Sequence, residues 1–156
     1  MPHSALYISG EILKRAKEKE VGISNMKLQK LLFIANGLYL AKNGTPLLEE
    51  PIEVWPYGPV INVVYHQFKE YGNRDITSFP QAYQLRSKIE LDEDAEASIN
   101  FALDVAKQLT AIQLSNWTHA EDSPWTKAQQ NGEKLIPERS MQEFFKQFTK
   151  PVANAG

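Results

Sequence analysis

The segment SNMKLQKLLFIANGLYLAKNG, residues 24–44, carries apolar side chains on nearly every face of a helix. At helical spacing Leu28, Leu31, Leu32, Ala35 and Tyr39 share one face, while Phe33, Ile34, Leu38 and Leu40 fill the others. A helix that is apolar all round has to be enclosed by other elements rather than laid on a surface. Ser24 is suited to cap its start and Gly44 to end it. The rest of the chain is therefore expected to wrap around this one helix. A chain of 156 residues is long enough to do so, because at that size folding buries on the order of 70% of the surface of the unfolded form.

The wrapping elements are mostly helical in pattern. Residues 4–20 place Ala5, Ile8, Ile12, Leu13 and Ala16 on one side, with Ser4 as N-cap and Gly22 as stop. The next stretch, TPLLEEPIEVWPYGPV, is broken by four prolines and a glycine, which leaves room for at most one short strand around 52–55. Pro59 is read as the first turn of a helix carrying Val60, Val63, Val64, Phe68 and Tyr71, ended by Gly72. The acids of ELDEDAE suit the start of a helix with Ile99, Ala102, Val105, Ala106 and Leu109 on its buried face. Thr110 and Gln113 have capping-box spacing, Ser123-Pro124 is a second start signal, and Met141, Phe144, Phe145 and Phe148 mark a last helix. The expectation is a mainly α, single compact domain over 1–150, with six or seven helices around the central one and a frayed tail at 151–156. A small two-stranded sheet, pairing 132–136 with 52–55, is compatible with this pattern.

Composition narrows the chemistry. There is no cysteine, so disulfides, thiolate zinc sites and thiol nucleophiles are excluded. A net charge of -2 argues against a general polyanion binder. No apolar run approaches the roughly 20 residues of a membrane span, and the opening MPHSALYISGE places an acid where a secretion signal needs an apolar core. A cytoplasmic location without membrane association is expected.

Three histidines, His3, His66 and His119, are the available imidazole bases, and no nucleophile-elbow motif accompanies them. His3 is placed in a fraying terminus. His119 has Glu121, Asp122 and Ser123 close by in sequence, but residues crowded into one turn rarely adopt a triad geometry. The alternative reading they support is a small hydrolase or nuclease-like enzyme using His119 with Glu121 or Asp122. His119, Glu121 and Asp122 are also able metal ligands, yet no paired histidines at helical spacing, no calcium loop and no phosphate-binding loop occur. No catalytic, cofactor or metal site is assigned.

Two binding classes are left. The stretch from Met1 to Lys30 holds six basic side chains, Lys14, Arg15, Lys17, Lys19, Lys27 and Lys30, against three glutamates. They would suit a DNA-binding regulator, but pairing with the acidic run 90–96 or exposure to water is the favoured reading, so a nucleic-acid partner is not expected. Lys27 and Lys30 lie near a helix N-terminus, where positive charge is mildly unfavourable, which calls for some other reason for their presence. Protein recognition is the second class. All three tryptophans, Trp55, Trp117 and Trp125, fall in turn-rich segments, with Tyr57 and Tyr65 near the first. Such rings are over-represented at interface hot spots, and equally serve to seal a small core.

The run KLQKLLFIANGLYLAKNGTPLLEEPIEVWPYGPVINVVYHQFKEYG, residues 27–72, together with LSNWTHAEDSPWTKA, residues 114–128, resembles the Panacea, or SocA-like, antitoxin domain family. KLQKLL matches the family's central helix, PIEVWPYGPV its irregular connection, and THAEDSPW its second signature. FIAN stands where many relatives carry an aromatic-rich string, and Val54 where alanine is usual. The resemblance implies a mostly helical antitoxin of a toxin-antitoxin system, often phage-associated, that is not an enzyme and that neutralises a cognate toxin. Some members are proteolytic adaptors delivering the toxin to the ClpXP protease, and others neutralise by direct binding. A homodimer is left open, and the matched region leaves no room for a fused DNA-binding module. On this reading Trp55, Tyr57, Tyr65, Trp117, His119 and Trp125 form or support the partner-contacting surface, at least half of them through the fold, with Lys27 and Lys30 as steering charges.

Overall fold

The computed structural model describes residues 2–85 and 89–149; the tail 151–156, expected to fray, lies outside them. The expected central helix is α2 (Asn25–Asn43), capped by the Ser24 hydroxyl on the Lys27 amide and closed by Gly44 at φ +75°. Every residue of 28–40 is buried. Its most extensive neighbours are α5 (Glu93–Gln108) and α8 (Glu138–Phe145), with α1 (Ala5–Glu18), α3 (Asn62–Gln67) and α6 (Ala111–Thr118) closing the remaining sides. Gly37 is where α8 comes closest, because a β-carbon there would overlap the Phe145 ring.

The caps follow the chemistry of the sequence. Ser4 accepts from the Tyr7 amide at the start of α1, and Asp92 from the Ala95 amide at the start of α5. Thr110 and Gln113 form the complete capping box of α6. Ser123 caps α7 (Pro124–Gln130), with Pro124 in its first turn. All seven expected helices are present, and α4 (Gln81–Leu85), within a stretch read as loop, adds a single turn. α8 runs on into a 3₁₀ turn, Lys146–Phe148.

Four expectations are corrected. A sheet is present, but β1 (Glu53–Trp55) pairs with β2 (Gly58–Val60) as a tight antiparallel hairpin, and 132–136 contributes an isolated bridge between Leu135 and Glu53. Pro59 therefore sits in a strand opposite Val54 and does not open a helix. It fits because the Val54 amide points the other way, donating to the Lys134 carbonyl at 2.8 Å, so this pair needs no amide from proline. Gly22 does not stop α1, which ends at Glu18 with Glu20 taking the left-handed conformation at φ 58°. His3 is not in a loose end either, since its amide and carbonyl pair with Leu47 and Glu49.

Arg15 ties the basic first helix to the acidic run, with its guanidinium 2.7 Å from Glu96 and 3.3 Å from Glu11. None of the lysines from Lys14 to Lys30 makes an ion pair among the described residues. No helix among the described residues is long and apolar enough to cross a membrane.

Candidate functional site

Buried polar side chains on a central helix need partners, and α2 carries three beyond its first turn: Gln29, Lys30 and Asn36. Asn36 accepts from the amides of Leu47 and Leu48 at 2.9 and 3.1 Å, which fastens the connection after α2. Gln29 accepts from the Ile61 amide at 2.8 Å and donates to Asn25 at 2.9 Å, and Asn25 donates to the Tyr65 carbonyl at 3.0 Å. This relay locks the end of β2 and the start of α3 against the first turns of α2. Lys30, 5% exposed, has neither a hydrogen bond nor an acid among the described residues.

Lys30 instead opens on a groove of about 600 Å³. Its floor is the start of α2, with Asn25 and Met26; one wall is the hairpin turn at Pro56 and Tyr57 backed by Tyr65 of α3; the other is α6, with Ile112, Ser115 and the capping residue His119. Tyr57 and Ile112 stand on the rim at 65% and 74% exposure. Among the described residues no carboxylate lines this groove. Burial holds the Lys30 ammonium below the ordinary lysine range. The same desolvation, reinforced by the Lys30 charge and partly offset by the Tyr57 backbone, lowers the His119 imidazole.

The geometry joins two signatures that are well separated in the chain. The Trp125 indole donates to the Trp55 carbonyl at 2.9 Å, and its ring lies under His119 at 4.2 Å, nearly parallel. The His119 Nε2 is buried with no hydrogen-bond partner among the described residues, and faces Gly58, whose φ of +122° makes the hairpin turn. A β-carbon there would approach that nitrogen to 3.3 Å, so both backbone conformation and space call for glycine. Trp55 packs on Tyr65 at 4.9 Å and donates to Glu53.

Of the eight residues singled out by sequence, Lys30, Tyr57, Tyr65 and His119 line the groove. Trp55 and Trp125 stand behind it as supports. Trp117 lies elsewhere, packed on Phe144, Phe145 and Phe148 at 5.7 to 5.9 Å, and Lys27 is half-buried outside the lining. Glu121 and Asp122 are exposed and outside the groove, neither is hydrogen-bonded to His119, and the Ser123 hydroxyl is used in capping α7 and bonding the Thr118 carbonyl. Sequence reasoning missed Ile112, Met26 and Lys69. Ile112 left a signal, since it is apolar yet falls off the Leu114–Trp117 face of its helix.

A family model described as "Antitoxin SocA-like, Panacea domain" matches residues 28–126. Antitoxin SocA of Caulobacter vibrioides (strain NA1000 / CB15N) is 32% identical over 124 residues, which is 76% of this chain and 66% of that protein. The chain thus aligns with just under two thirds of that relative's length. No solved structure matches the chain at a comparable level. The matched stretch holds α2 from Leu28 onward, the hairpin, α3, α5, α6 and the first residues of α7, including every groove residue from Lys30 to His119, and on that match the chain belongs to the SocA-like antitoxin family defined by the Panacea domain.

Proposed function

We propose that this protein is an antitoxin that neutralises a cognate toxin by direct protein–protein binding, and that the groove between α2, the hairpin and α6 is its contact surface. The observation that carries this reading is the convergence of the two family signatures on one concave face with Tyr57 and Ile112 exposed at its rim. Apolar and aromatic groups held out on rigid elements, beside polar groups that fix register, are the usual composition of an interface centre. The rigidity comes from Gln29, at the head of the relay, and from Trp125, neither of which lines the groove. Membership of an antitoxin family, with a relative named as an antitoxin, supplies the partner class.

The functional domain in this reading is 1–150. α1 and α8 fall outside the matched stretch, yet both pack on α2 and the core runs from Ala5 to Phe145. Its place of action is the cytoplasm, where the toxin is made. Delivery of the captured toxin to ClpXP is a finer step of the same reading, checked by the toxin's half-life with this protein present, in cells with and without that protease.

The test is co-expression with the adjacent gene. The product of that gene should arrest growth alone, lose its toxicity when this protein is present, and co-purify with it. A harmless neighbour, or toxicity that persists at full antitoxin expression, refutes the reading.

A further inference from the structure

Lys30 occupies a position that packing alone would give to a leucine or methionine. It lies on the most enclosed helix of the fold, is 5% exposed, and meets no carboxylate among the described residues. The two other polar residues of this buried stretch each hold a backbone segment in place, whereas Lys30 holds none. Its ammonium opens on the groove, which His119 also lines. A desolvated ammonium without a counter-charge is costly, and the cost is relieved when an anion enters the same low-dielectric space.

We propose that Lys30 is the receptor for a single carboxylate, an aspartate or glutamate side chain that the toxin inserts into the groove on an otherwise apolar segment. The inference rests on the antitoxin reading above and specifies the chemistry of the partner. Charge complementarity points to the acid: the described lining carries Lys30 within and Lys69 at the edge, and no carboxylate. The first turn of α2 lies in the same floor, so the positive end of that helix adds to the field. The walls decide what carries the charge. Met26, Tyr57, Tyr65 and Ile112 offer apolar and aromatic surface to flanking side chains, whereas a phosphate dianion needs several convergent donors.

The experiment uses the full chain and the purified product of the adjacent gene, with affinity read by calorimetry and stability by thermal unfolding. Lys30→Met should raise the Tm of the free protein, because a buried charge without a partner is replaced by an apolar side chain of similar length. The same variant should weaken toxin binding 30-fold or more, since the toxin's carboxylate is then buried unpaired. Changing the toxin's acids one at a time to their amides should reveal one whose loss is not additive with Lys30→Met. On the wild-type pair, the ε-carbon resonance of Lys30 should move on complex formation and its titration should shift to higher pH. That arm stands whether or not a variant folds. If the wild-type protein does not bind the toxin, the antitoxin reading itself fails. If wild type binds while Lys30→Met binds within threefold of it, or the Lys30 resonance stays in place, the carboxylate site alone is refuted. Competition by millimolar inorganic phosphate would refute it too, in favour of a small-anion site.

Discussion

Replacing Gln29 by leucine tests whether the groove is held by the relay that starts at this side chain. Gln29 is fully buried, its carbonyl accepts from the Ile61 amide at 2.8 Å and its amide donates to Asn25 at 2.9 Å. Leucine fills a similar volume and makes neither bond. The Ile61 amide and the Asn25 side-chain oxygen are then buried unsatisfied, at about 1–3 kcal/mol each. The better burial of leucine returns about 1–2 kcal/mol. At mid-range the net loss is about 2–3 kcal/mol, and at about 2–4 °C per kcal/mol for a chain of this size Tm falls by about 4–12 °C. Urea unfolding at pH 7 measures the free energy, and an unchanged m-value confirms that the same surface is exposed. Toxin capture should weaken as well, because the released segment carries Tyr65 and follows the turn that presents Tyr57. A loss under about 0.5 kcal/mol would refute the account, showing that these groups find other partners.

Three further perturbations follow from the same geometry. Asp92→Ala removes both the cap of α5 and the acceptor of the Tyr39 hydroxyl, 2.7 Å each, and should cost about 2 kcal/mol by urea unfolding at pH 7. The carboxyl of Asp92 is held below its ordinary value by the Tyr39 hydrogen bond first and the Ala95 amide second, so its contribution is present above about pH 4 and lost as pH falls through the lowered value; the gap between wild type and variant should close there. His119 titrates below 6.5 in the folded protein because of burial; in the window just beneath 6.5 the unfolded chain binds more protons, so stability rises with pH there and is lost on acidification. His119→Gln should flatten that slope in denaturation curves taken between about pH 5 and 7. Gly37→Ala drives a methyl into the Phe145 ring, at about 1–3 kcal/mol for overpacking against about 1 kcal/mol of gained helix propensity. A net loss of about 1 kcal/mol is expected, and Phe145→Leu should relieve part of it in a double-mutant cycle.

The central helix was legible because one physical fact, apolar side chains on every face, leaves no other place for it. The helix caps were legible for the same kind of local reason: Ser24, Thr110 and Ser123 each bond an amide within the first turn of the helix that follows. The hairpin was not. Pro59 carries the same local meaning at the first turn of a helix and at a strand position that needs no amide, and the choice depends on Lys134, far along the chain. The tryptophans show the same divide. Composition and turn context treat Trp117 and Trp125 alike, yet α8 and the turn after it lay three phenylalanines on the first, and β1 offers a carbonyl to the second. Only the tertiary partner distinguishes a half-buried ring packed on phenylalanines at the flank of the core from a buried one that supports the groove from behind.

Lys30 illustrates where local and global signals conflict. On the helix it is ordinary in propensity, and at its N-terminal half a mild electrostatic liability. In the fold the liability grows, because α2 is enclosed from residue 28 to residue 40 and Lys30 is inside that stretch. A polar group in such a place is accounted for either by what it holds or by what it awaits. Asn36 and Gln29 meet the first condition: Asn36 holds the Leu47 and Leu48 amides, and Gln29 holds the Ile61 amide while bonding Asn25 on its own helix. Lys30 meets the second: its outlet is a groove whose described lining supplies apolar contact on both sides and no negative charge. The stability withheld from the free protein at this position is released only in a complex that brings the missing carboxylate, which makes the same residue a cost to the fold and a source of selectivity in binding.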